Sequence, residues 1–123
     1  MIVAAQLGFA EVIGVEFARE LADVAEKNLR ILNIGNGTII HGDAAEYNFP
    51  DRNFVLYMNN PFFTDVMSKV IHRLEEFCAK HPQRRIFVIY HNPLFADVID
   101  HAPFLQRLSA IDGVELIWKR RGT

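Results

Sequence analysis

The sequence predicts one α/β domain, residues 1–123, of the doubly wound type, with a mostly parallel sheet and helices on both faces. Three observations carry this. Short β-type runs recur along the 123 residues. Helix-period stretches separate them. The runs are apolar throughout rather than alternating, as strands buried on both faces should be. Strands alternating with helices imply right-handed crossovers and parallel neighbours.

Taken in order, residues 1–8 are small and apolar and read as the last turns of a helix closed by Gly8. Val12, Ile13, Val15 and Phe17 make residues 11–17 the first strand. Residues 18–33 are helical, because Leu21, Val24, Ala25, Leu29 and Leu32 recur at three- and four-residue steps. Asn33 to Gly37 is a turn cluster. Thr38 to His41 is a second strand, followed by Gly42-Asp43-Ala44, and Asn48 to Asn53 is loop. Phe54 to Met58 is a third strand, stopped by Asn59-Asn60-Pro61. Thr64 can cap the next helix. Along it Val66, Met67, Val70, Ile71, Leu74, Phe77 and Cys78 hold one apolar stripe until His81-Pro82 ends it. Arg85 to Tyr90 is a fourth strand, and Leu94 to Ile111 reads as a helix broken near Pro103. Val114 to Trp118 is the last strand.

Composition narrows the functional class. Half the residues are hydrophobic and 23% are charged, the balance of a soluble globular chain. A net charge of −2 supplies no field to recruit nucleic acid or anionic membrane. A single cysteine, Cys78, excludes an internal disulfide framework and fits a reducing compartment. The five histidines do not fall at metal-ligand spacing on one helix. No apolar run approaches the ~20 residues of a membrane span, and the start, MIVAAQLGFA, lacks the features of a signal peptide. The expectation is a cytoplasmic protein without a metal.

In open α/β sheets, ligands bind beyond the carboxyl ends of the strands. The polar residues that stand there are therefore the candidates: Glu16, Asp43, the run Asn59-Asn60-Pro61-Phe62, and His91-Asn92-Pro93. Glu16 can accept two hydrogen bonds from the vicinal hydroxyls of a ribose, or it is an acid at a helix start, suited to the dipole. Asp43 can accept from an exocyclic amine of a base, or cap the following turn. The Asn-Asn-Pro-Phe run offers an amide and a rigid carbonyl beside an aromatic face, or it is a strand-to-helix turn. His91 can serve as a general base or be structural.

Together the segments VIGVEFARELADVAEKNL, IIHGDAAEY and FVLYMNNPFF resemble the second, third and fourth strands, with their following residues, of the class I, Rossmann-like, S-adenosylmethionine-dependent methyltransferases. The resemblance runs from residue 1 to about residue 119. It implies S-adenosylmethionine as cofactor, with Glu16 on the ribose hydroxyls, Phe17 against the adenine and Asp43 accepting from the adenine amino group. It places the Ala44 backbone near the ring and Asn59 on the methyl-transfer face. Asn59, Asn60, Pro61 and Phe62 resemble the Asn-Pro-Pro-aromatic motif of amino-group methyltransferases, with Asn60 in place of a proline. The acceptor implied is an amine on a small molecule or protein, with nucleic acid and membrane not expected.

The glycine-rich loop of that family is absent from the sequence, so the expectation is an N-terminally truncated domain lacking the first strand and loop. Sheet edges exposed in this way allow a homo-oligomer. Two other readings stand beside this one: a Rossmann oxidoreductase binding NAD(P), in which an acid also ends the second strand, and a truncated non-catalytic domain.

Overall fold

The computed structural model describes residues 8–59, 64–91, 93, 95–111 and 115–122. The chain forms two compact units, Met1–Tyr47 and Asn48–Thr123. The helix expected over residues 1–8 falls outside the described residues except for Gly8.

In the first unit, strand β1 (Val12–Glu16) pairs in parallel with β2 (Gly37–His41), in a register that sets Val12 opposite Gly37 and Glu16 opposite His41. Helix α1 (Arg19–Ile31) makes the crossover. It ends where the turn cluster predicts. Asn33 takes a left-handed conformation (φ 55°), its N–H donates to the Arg30 carbonyl, and the Ile34 N–H donates to Leu29. These paired bonds close the last turn, with asparagine in the place glycine usually fills. Only Ala22 and Leu29 of α1 are fully buried. Leu21, Val24, Ile31 and Leu32 are exposed, so the stripe read from the sequence faces outward over much of its width. Among the described residues of this unit two short strands offer one small apolar face, and against it α1 fully buries Ala22 and Leu29.

In the second unit, four strands form a sheet in the order β3 (Phe54–Asn59), β4 (Ile86–His91), β6 (Glu115–Arg120), β5 (Leu105–Ile111). The first pair is parallel, and β6 runs antiparallel to both its neighbours. Helix α2 (Thr64–Lys80) covers one face. Its stripe is as expected: Met67, Val70, Ile71, Leu74, Phe77 and Cys78 are all buried. All but Val70 join one cluster with alternate strand residues, among them Met58, Val88, Tyr90, Leu116 and Trp118. The residues between these look the other way, and Val55, Tyr57 and Phe87 on that face are exposed. The β4 run is therefore apolar without being buried on both sides. Burial pushes the Cys78 thiol above its ordinary range, against an opposing pull from Arg120, so it is a core residue and not a nucleophile.

The stretch from Leu94 to Ile111 corrects the sequence reading. Its helix, α3, covers only Ala96–Asp100, and β5 follows, so the carboxyl-terminal part holds an antiparallel pair where one strand was expected. The ladder between β5 and β6 is irregular between Arg107 and Ser109, a bulge that leaves Leu108 exposed. A bulge inserts one extra residue and breaks the two-residue alternation that marks a strand in sequence.

Arg120 ties this unit together at the far end of α2. Its guanidinium donates to the carbonyls of His81 (2.7 Å), Cys78 (3.1 Å) and Arg84 (3.2 Å). The Cys78 carbonyl is one that a helix end leaves without an internal partner. Replacing Arg120 by Met is expected to destabilise the unit by about 2–3 kcal/mol in urea unfolding, because charge-assisted bonds to part-buried carbonyls are lost. A loss under about 0.5 kcal/mol would place the Arg120 bonds among the negligible surface pairs.

A surface cluster sits nearby. Asp51 accepts from Arg84 Nε at 2.8 Å and lies 3.1 Å from His81 Nδ1. The hydrogen bond from Arg84 outweighs an opposing desolvation cost and, with the charges of Arg84 and His81, holds its carboxyl below the ordinary carboxylate range. A group whose pKa is lowered on folding stabilises the fold above its unfolded pKa and loses that contribution as the pH falls through the folded value. Melting temperatures of the wild type and Asp51→Asn should therefore differ at neutral pH and converge in acid. A constant difference across the acid range would show that the Asp51 charge is not involved.

Candidate functional site

The carboxyl ends of β1 and β2 lie side by side, and backbone hydrogen bonding fixes their relation. The Gly42 N–H donates to the Glu16 carbonyl at 2.9 Å, extending the ladder one step past Glu16 and His41. His41 Nε2 bonds the Phe17 carbonyl at 2.9 Å. A carbonyl only accepts, so Nε2 carries the proton in this contact. The ring of β2's last residue thereby holds the turn that leaves β1.

Glu16 is half-buried, and its Oε1 accepts from the Ala18 N–H at 3.1 Å, at the entry to α1. Among the described residues no hydrogen bond reaches its other oxygen. Both sequence readings of Glu16 thus have a place in one carboxylate: one oxygen closes the helix entry and one remains open. Phe17, the next residue, is 77% exposed. Asp43 Oδ1 accepts from the Ala45 N–H at 2.9 Å and caps the 3-10 turn Ala44–Glu46. The turn holds Ala44 half-buried beside Asp43. The structure therefore brings Glu16, Phe17, Asp43 and Ala44 to one end of one parallel pair. A depression of about 450 Å³ lies at the other end of β2, lined by residues including Leu29, Arg30, Asn33 and Thr38, and none of the four contributes to it.

In the second unit, Asn59 is the last residue of β3 and pairs with His91, the last of β4. Asn60, Pro61 and Phe62 lie outside the described residues. His91 in turn pairs with Glu115, the first residue of β6. Its Nδ1 lies 3.2 Å from Glu115 Oε1. That nitrogen is buried and without an aligned hydrogen bond. The chain leaving β4 is held by Tyr90, fully buried, whose hydroxyl accepts from the Phe95 N–H at 3.3 Å. Among the described residues no group of three or more His, Cys, Asp or Glu could hold a metal, and no helix is long and apolar enough to cross a membrane.

Sequence reasoning missed two of these residues. His41 acts on Phe17, 24 positions away, and the only advance signal is that both stand at strand ends. Glu115 meets His91 through the antiparallel return of β6, a partner that no local pattern announces.

No family model and no curated protein matches the sequence. Solved structures do. The chain is similar to a candidate methyltransferase from Escherichia coli, with 16% identity and a TM-score of 0.66, covering 93% of this chain and 65% of that one. It is similar to a candidate methylase from Haemophilus influenzae at 16% identity and a TM-score of 0.65, covering 97% of this chain and 78% of that one. A third likeness is to a candidate N6-adenine-specific DNA methylase from Listeria monocytogenes, at 15% identity and a TM-score of 0.60, covering 90% of this chain and 30% of that one. At such identities the likeness is one of fold. The fold is that of the class I methyltransferases, and the chain spans about two thirds of the length of the Escherichia coli protein.

Proposed function

We propose that the chain is part of an S-adenosylmethionine-dependent methyltransferase whose acceptor is an amine. The observation that carries the reading is the convergence of Glu16, Phe17 and Asp43 at one end of the β1–β2 pair. The residues present fit the nucleoside half of the cofactor. The open oxygen of Glu16 would take the ribose hydroxyls, the exposed ring of Phe17 would lie against the adenine, and Asp43 would accept from its amino group beside the Ala44 backbone. An oxidoreductase using NAD(P) gives Glu16 the same work and leaves Asp43 with its turn-capping bond to Ala45 but no ligand. The bound cofactor would supply a methyl group already activated by its sulfonium.

The work left to this chain is to hold and orient, and orientation alone accounts for much of the rate in such transfers. Asn59, Asn60, Pro61 and Phe62 are assigned to the acceptor side by their resemblance to amino-group methyltransferases. The Listeria monocytogenes protein, described as acting on N6 of adenine, is consistent with an amine. With a net charge of −2, the acceptor is better sought among small molecules and protein amines than on nucleic acid. A lone cysteine, buried and unpaired, fits a cytoplasmic setting.

Titration calorimetry of the folded chain with S-adenosylhomocysteine and, in parallel, with NAD tests this. Heat with the first and none with the second is expected. Binding of NAD alone would replace the reading with the oxidoreductase, and binding of neither would favour a non-catalytic domain.

A further inference from the structure

Phe17 stands between β1 and α1, and its side chain is 77% exposed. A ring so exposed takes little direction from packing. The backbone beneath it supplies the direction instead, because both peptide planes that flank Phe17 are anchored. The plane before it carries the Glu16 carbonyl, which accepts from the Gly42 N–H at 2.9 Å. The plane after it carries the Phe17 carbonyl and the Ala18 N–H on opposite edges. His41 Nε2 donates to that carbonyl at 2.9 Å, and Glu16 Oε1 accepts from that N–H at 3.1 Å. With both planes held, the φ and ψ of Phe17 are held, and so is the direction of its Cα–Cβ bond. Two of these three bonds come from the chain at the end of β2, one through the Gly42 main chain and one through the His41 ring.

From this geometry we infer that His41 is a positioning residue for the adenine of the cofactor. It acts through Phe17 and makes no contact of its own with the nucleoside. The inference rests on the methyltransferase reading above and deepens it, and every residue it uses lies within the first unit. A ring already aimed loses less freedom on binding than one the ligand must order, and that difference appears as affinity.

A double-mutant cycle on the full chain, read by titration calorimetry with S-adenosylhomocysteine, tests this. Phe17→Ala removes the ring and keeps the carbonyl that His41 bonds. It should weaken binding about tenfold, the usual weight of a base stacked on an aromatic ring. His41→Ala should weaken binding about fivefold, the weight of one neutral hydrogen bond. His41→Gln offers an amide N–H to the same carbonyl and should bind within about twofold of the wild type. The double variant should bind within about twofold of Phe17→Ala alone, because no ring is left for His41 to aim.

The same fivefold loss in both backgrounds would give His41 a merely structural role and overturns the inference. So does wild-type affinity in His41→Ala. Nitrogen-edited NMR of the wild type needs no variant to fold, beyond His41→Gln for assignment. The neutral His41 ring should carry its proton on Nε2, and a ring protonated on Nδ1 alone cannot donate to Phe17 and overturns the inference by itself. Absence of S-adenosylhomocysteine binding by the folded wild type overturns the cofactor reading and the inference with it. Binding with additive losses overturns the inference alone.

Discussion

Trp118→Ala is expected to remove about 4 kcal/mol of stability from residues 48–123, within the range for large aromatic truncations in cores. The side chain is 1% exposed and central to the sheet face that α2 covers. Its Nε1–H donates to Asp100 Oδ1 at 3.0 Å. The Arg107 guanidinium lies over the ring, 5.4 Å from its centre, and donates from Nε to the same carboxylate at 3.1 Å. One ring therefore joins α3, β5 and β6. Small domains hold about 5–15 kcal/mol in all, so the loss should leave a substantial unfolded fraction at moderate urea. Trp118→Phe keeps most of the packing and removes the donor and part of the cation–π contact, and should lose about 1–2 kcal/mol. Far-UV circular dichroism must report both, since Trp118 is the only tryptophan. An Ala variant within about 1 kcal/mol of wild type would mean that the core closes over the gap far better than such sites do.

Glu16→Ala is expected to weaken S-adenosylhomocysteine binding by about 10- to 100-fold, the usual weight of hydrogen bonds to a charged acceptor. The same change removes the Ala18 contact, worth about 1 kcal/mol as a helix-entry bond, so melting without ligand must be measured beside affinity. Glu16→Gln separates the two effects. The amide oxygen can still serve Ala18, while the second acceptor is lost, so stability should recover more than affinity. Equal affinity across wild type, Gln and Ala would remove Glu16 from the nucleoside site and leave it only the helix entry.

What the sequence disclosed follows the reach of each physical signal. The α2 stripe was legible because six residues at helical spacing are buried, five of them in one contiguous core. The ends of β1, β2 and β3 were legible because strand runs stop abruptly on polar residues. The strand from Leu105 was hidden by its own bulge, with Leu108 displaced out of the alternation. The outward face of α1 was misread because periodicity reports that a stripe exists and not how much partner surface awaits it. The His41 bond to Phe17 and the Glu115 approach to His91 depend on register, which no stretch of sequence carries by itself.

The small first sheet has a further consequence, for the order in which the molecule opens. Among the described residues of the first unit only Ala22 and Leu29 are fully buried, whereas the second unit holds the large cluster around α2. A two-stranded pair is marginal on its own. Amides of β1 and β2 should exchange with deuterium through low-energy local opening, and those of β4 and β6 only through global unfolding. The part of the chain that carries Glu16 and Asp43 is then the part least often assembled. A nucleoside ligand would raise the protection of those amides first, and its apparent affinity would be reduced by the fraction of time the pair is closed.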